Sequence, residues 1–165
     1  MKKTILLLSL PVLILFFAGC GTSKTTPLNQ EDIQAITTRV YDENFDLVYK
    51  SILSAITNEG YLITNTDYQA GVIAAESFES KGVSFVESLI ADVTRTNHNY
   101  KVSIFVYKLN EQQTKVQFTL FHYVTNNYDN GRDNTTSGGR TLVASQYRNW
   151  FSRVADEIKK NKGAN

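Results

Sequence analysis

Phe45, Val48, Tyr49, Ile52, Ala55 and Ile56 recur at steps of three and four residues, the repeat of a helix with one buried face. The spacing predicts a helix over 45–59, capped by Asn44 or Asp42. Asp46 falls in its first turn, where the helix dipole favours an acid, and Gly60 follows its end. A strand at Thr37–Tyr41 precedes it. Tyr61–Tyr68 and Val72–Phe78 read as a hairpin turning at Gln69-Ala70-Gly71. Ser84-Phe85-Val86-Glu87 has capping-box spacing ahead of Leu89, Ile90 and Val93, which predicts a short amphipathic helix over 85–93.

Two longer strands follow, Tyr100–Leu109 and Thr114–Thr125, joined by the polar stretch Asn110–Gln113. Val102, Ile104 and Val106 alternate on the first, and Val116, Phe118, Leu120 and Val124 on the second, so one sheet face is apolar if the register sets them together. The other face then carries Phe105, Tyr107, Phe121 and Tyr123 among polar residues, either as an open platform for a partner or extended ligand or as a second small core covered by the 85–93 helix. Asn126–Arg140 holds almost nothing apolar and is expected to be a loop, long enough to be mobile or part of a binding surface. A closing helix over 142–160 buries Val143, Tyr147, Trp150, Phe151, Val154 and Ile158. Trp150 is read as a core anchor, with Arg153/Glu157 and Asp156/Lys160 pairing at four-residue spacing. The fold class expected is α+β, an antiparallel sheet of four to five strands with two main helices on one face. It forms a single domain over 37–160, with 161–165 as a tail.

The 165 residues are 42% hydrophobic and 20% charged, with 17 Lys+Arg against 16 Asp+Glu. That balance argues against disorder, and the length against a large multidomain enzyme. A formal charge of +1 gives no basic excess to grip nucleic acid. The single cysteine excludes an intramolecular disulfide and a zinc site of several thiolates.

That cysteine marks a boundary. Lys2-Lys3 is followed by an apolar run from Ile5 to Ala18, too short for the roughly 20 residues of a permanent bilayer helix. Phe17-Ala18-Gly19-Cys20 resembles the bacterial lipoprotein box, with Phe17 where Leu is usual. The resemblance implies a signal peptide at 1–19, cleaved ahead of a Cys20 that carries acyl chains such as palmitate. At about 0.8 kcal/mol per buried methylene, two or three chains anchor the protein permanently. Cleavage leaves 146 residues and removes two lysines, so the charge becomes −1 and attraction to anionic lipid does not hold the protein down. Residues 20–36 read as a flexible tether reaching roughly 20–25 Å. Gly21 lacks the inner-membrane retention Asp of enteric-type bacteria, which by resemblance favours the outer membrane, facing the periplasm.

No catalytic constellation assembles from the sequence. His122 alternates with core positions and reads as a partly buried, hydrogen-bonded imidazole at the sheet end; His98 falls in a polar turn. Gly82-Val83-Ser84-Phe85-Val86 lacks the second glycine of a nucleophile elbow. Asp129, Asn130 and Asp133 do not match a calcium loop. Glu76 and Glu79 point to opposite faces of their strand, which makes a poor acid/base pair. No cofactor and no metal are expected, and a hydrolase would need His122 beside an acid or hydroxyl nucleophile.

Arg39-Val40-Tyr41 before the first helix, Gly60-Tyr61-Leu62-Ile63 after it, Gly71-Val72-Ile73-Ala74 opening the third strand, and Tyr147 with Phe151 in the last helix resemble the helix-grip domains of bacterial outer-membrane lipoproteins, among them the C lipoprotein of the β-barrel assembly machinery. The resemblance covers about residues 37–160 and carries no catalytic residues. The anchor and the lack of a catalytic constellation lead to the expectation of a non-enzymatic, lipid-anchored module that binds an envelope protein through Phe105, Tyr107, Phe121 and Tyr123 or the 126–140 loop, and the envelope location and the charge of −1 to that of no nucleic-acid partner. The alternative is a small apolar or glycan ligand held between sheet and helices, which requires a cavity of about 300 Å3 or more.

Overall fold

The computed structural model describes residues 28–80, 94–128 and 134–163. Its described residues form the elements α1 (Gln30–Thr37), β1 (Thr38–Tyr41), α2 (Phe45–Asn58), β2 (Leu62–Asp67), β3 (Val72–Ser80), β4 (Thr94–Asn110), β5 (Gln113–Tyr128), β6 (Thr135–Thr141) and α3 (Ala144–Gly163). All pairings are antiparallel, in the order β1-β5-β4-β3-β2, with β6 alongside the far half of β5. The class is α+β as expected, with six strands among the described residues rather than four to five. The predicted helix over 85–93, Cys20 and the signal segment lie outside the described residues.

Asn44 caps α2 by accepting the Leu47 N–H at 2.9 Å, so the cap is Asn44 and not Asp42. The predicted face is buried: Val48, Ile52 and Ile56 are fully enclosed, with Tyr49 and Ala55 nearly so. They pack with Tyr147, Trp150, Phe151, Val154 and Ile158 of α3 over the apolar sheet face. The register supplies that face, because Val102 lies opposite Leu120, Ile104 opposite Phe118 and Val106 opposite Val116. Phe118, fully buried, stacks on Trp150 and meets Phe151 edge-on. Val143 departs from the expected stripe: it precedes α3 and is half exposed.

Two segments expected to be irregular are ordered elements. Residues 30–36 of the expected tether belong to α1, held by a reciprocal cap in which Asn29 accepts from the Asp32 N–H and Asp32 accepts from the Asn29 N–H. Within the expected 126–140 loop, β5 continues to Tyr128 and β6 begins at Thr135. The ion pairs of α3 also differ, since Arg153 reaches Glu59 at 2.8 Å and Lys160 takes Glu157 at 2.6 Å.

Strand length then decides what the helices can cover. Seventeen residues of β4 extend about 56 Å at about 3.3 Å each. Twenty residues of α3 reach only about 30 Å. The burial follows: Val102, Ile104 and Val106 are enclosed, whereas His98 and Tyr100 on the same face are only half-buried.

Candidate functional site

The outer sheet face is fixed by which residues stand opposite one another. Val72 pairs with Phe105, Ala74 with Ser103 and Glu76 with Lys101; across the next ladder Phe105 faces Gln117, Ser103 faces Thr119 and Lys101 faces Phe121. Phe105, Tyr107, Phe121 and Tyr123 therefore do share one face, as expected. They do not form one platform. Phe105 and Tyr107 make one pair with ring centroids 6.2 Å apart, and Phe121 and Tyr123 make another at 6.4 Å. Phe105 and Lys101, the residue facing Phe121, are four positions apart on β4, so the pairs stand about 13 Å from each other.

Small side chains fill the interval. Ala74, Ser103 and Thr119 form a low band across three strands, and a depression of about 490 Å3 opens from Ala74 and Ser103 toward the Phe121 end, with Thr64, Glu76, Lys101, Phe121 and Tyr123 also lining it. Lys101 and Glu76 are paired within it at 3.4 Å. Nearby on the same face, the Asn99 side-chain oxygen is buried with no hydrogen-bond partner among the described residues. Such orphaned acceptors are uncommon in native proteins.

The face is also where apolar surface stays uncovered. Phe105 is 38% exposed and Tyr107 41%. Val40 is opposite Lys115 and Leu62 opposite Glu76, which puts both on this face, at 51% and 67% exposure. Lys115 rests over the Tyr107 ring at 4.9 Å and leaves most of the patch open. Four of the eight large hydrophobic side chains exposed among the described residues thus share one sheet face, and a concentration of that kind marks an interaction surface more often than scattered exposure does.

The helix-facing side is different. Between sheet and α3 runs a cleft of about 160 Å3 beside Tyr61, Leu120, His122 and Trp150, below the size expected of a small-molecule pocket. At the open end of that side the two histidines meet: His98 is on β4, not in a turn, and its Nδ1 lies 3.0 Å from His122 Nε2. His122 is therefore half-buried and hydrogen-bonded at the sheet end, as its alternation suggested, and its ring neighbours are His98 and Tyr100. Among the described residues no three His, Cys, Asp or Glu side chains gather as a metal site.

The small-residue band, the Glu76–Lys101 pair and the histidine contact were not anticipated from sequence, yet a signal was present. The tight turn at Glu111-Gln112 pairs Asn110 with Gln113. Counting outward from it, with one shift between Lys108 and Asn110, places Phe105 opposite Gln117 and His122 opposite Tyr100.

No family model matches the chain, and no curated protein matches it.

Proposed function

We propose that this chain is a non-enzymatic binding module that is lipid-anchored at Cys20 in the bacterial envelope, most simply at the outer membrane facing the periplasm, and docks a partner protein on the outer sheet face. The observation that carries the reading is the concentration of exposed apolar residues on that face. Phe105 and Tyr107 stand exposed at one end, Phe121 and Tyr123 are half-buried at the other beside the depression they line, and a band of small residues lies between. Two apolar anchors about 13 Å apart match the side chains of an extended segment four residues apart. The rings supply contact area at low conformational cost.

A small ligand between sheet and helices draws no support from a cleft of about 160 Å3. The apolar run ending at Phe17-Ala18-Gly19-Cys20 supports the anchoring. Metabolic labelling with an alkynyl fatty acid tests it directly: incorporation that disappears in Cys20→Ser is the expected result, and labelling that persists in the variant would remove the anchor from the account. Docking is tested by Phe121→Lys and Tyr107→Lys. Each is expected to abolish recovery of the partner while leaving the fold intact.

A further inference from the structure

The two histidines lie where the long hairpin outruns the helices. His122 is opposite Tyr100 and His98 is opposite Val124, so the histidines are diagonal neighbours on adjacent strands, on the helix-facing side. Their rings are within 9° of parallel with centroids 5.2 Å apart, and Tyr100 stacks on His122 at 4.7 Å. The stack restrains the His122 ring. Both imidazoles are half-buried, so solvent reaches them.

Two neutral imidazoles 3.0 Å apart share one N–H between Nδ1 of His98 and Nε2 of His122. The same nitrogens become a chelating pair once that proton is on the outward nitrogen of the donor ring, a change of tautomer in which both rings stay neutral. Nitrogens bound to a metal at about 2.0–2.1 Å lie about 2.9 Å apart at a right angle and about 3.3 Å apart at the tetrahedral angle. The observed spacing is nearer the right angle. That angle belongs to the square-planar or tetragonal geometry of Cu2+ and Ni2+, and Cu2+ heads the affinity order for nitrogen donors.

We propose that His98 and His122 form a two-nitrogen site for a tetragonal divalent transition-metal ion, Cu2+ ahead of Ni2+ and Zn2+. The ion binds to one side of the N···N line, and each ring turns by about 40–45° from its hydrogen-bonded orientation to bring its lone pair onto it. Arg153 lines the cleft next to His122 and is held by Glu59 at 2.8 Å, which reduces its repulsion of an incoming ion. The remaining coordination positions go to water or to an external ligand, for which the cleft leaves room. With two protein ligands among the described residues, the site exchanges its ion readily.

The test is a CuCl2 titration of the full, tag-free chain in detergent micelles, followed by electron paramagnetic resonance. The proposal expects one saturable equivalent below about 100 µM, with a tetragonal spectrum and couplings from two imidazole nitrogens. His98→Gln and His122→Gln are each expected to weaken binding at least tenfold and to leave a single imidazole coupling. Far-UV circular dichroism without metal checks that the variants fold. His98→Gln lies at the uncovered end of the sheet and keeps the test decisive if His122→Gln does not fold. Absence of saturable binding, a spectrum with fewer than two imidazoles, or unchanged affinity in His98→Gln would overturn the proposal.

Discussion

Gly138 lies directly against the main chain of His122. A Cβ added to Gly138 would sit 2.2 Å from the His122 carbonyl oxygen and 2.8 Å from the Tyr123 Cα, and its φ of +132° is one that side-chain-bearing residues rarely adopt. The contact lets β6 lie against β5 at the stretch that carries Phe121, His122 and Tyr123. Gly138→Ala is expected to destabilise the protein by roughly 2–3 kcal/mol, through backbone strain and the displaced pairing. Denaturant unfolding measures the loss. Hydrogen exchange should show faster exchange at the β5–β6 ladder, and a variant as stable as the parent would mean that β6 does not pair there.

Tyr147 is fully buried, and its hydroxyl ties the last helix to the strands. It donates to the Thr141 carbonyl at 2.8 Å and accepts the Leu120 N–H at 3.3 Å. Tyr147→Phe removes both bonds and leaves a buried N–H without a partner, for a cost of about 1–3 kcal/mol. Thermal or urea unfolding of the variant checks this.

Phe118 and Phe121 lie on opposite faces of β5, which allows burial and function to be separated. Phe118 is fully buried against Trp150 and Phe151, and Phe118→Ala should cost about 3–5 kcal/mol. Phe121→Lys, on the outer face, should change stability by no more than about 1 kcal/mol and abolish partner binding. Matched unfolding curves and binding assays on the two variants distinguish them. Equal destabilisation would mean that the outer face is itself packed.

Burial raises the Tyr41 hydroxyl well above its ordinary 10.0, and it donates to the Phe151 carbonyl at 3.0 Å. Above pH 10 the unfolded chain gives up this proton while the folded chain keeps it. The unfolded state then binds fewer protons, and stability falls as pH rises. The contribution is complete below pH 10 and is lost progressively above it. Urea unfolding between pH 8 and about 11.5 should show this decline, and Tyr41→Phe should flatten it.

The parts of the fold that were legible in sequence are those with a strong apolar period. The α2 stripe from Phe45 to Ile56 and the alternation of Val102, Ile104 and Val106 each specify a buried face, and the structure buries them. α1 and β6 were not legible because neither buries much. Thr135–Thr141 is an edge strand of Thr, Ser, Gly and one Arg with five of its seven residues exposed, so no apolar alternation marks it. α1 buries only Thr37, and its signal is the Asn29/Asp32 cap spacing. The four aromatics were placed on the correct face, but alternation alone does not say which residues stand opposite each other. The turn at Glu111-Gln112 does, and it separates Phe105 from Phe121 by the band of Ala74, Ser103 and Thr119. The same register brings together two histidines 24 positions apart, which no local pattern connects.

The central claim is that the outer sheet face docks a protein partner in the envelope, and site-specific photocrosslinking in cells tests it most directly. A photoreactive residue is placed in turn at positions 105, 107, 121 and 123, and at the exposed Lys50 on α2 as the control. The account predicts one discrete adduct shared by the four sheet positions, absent at position 50 and lost when a second outer-face aromatic is replaced by lysine. No adduct from any of the four, or the same adduct from position 50, would contradict it.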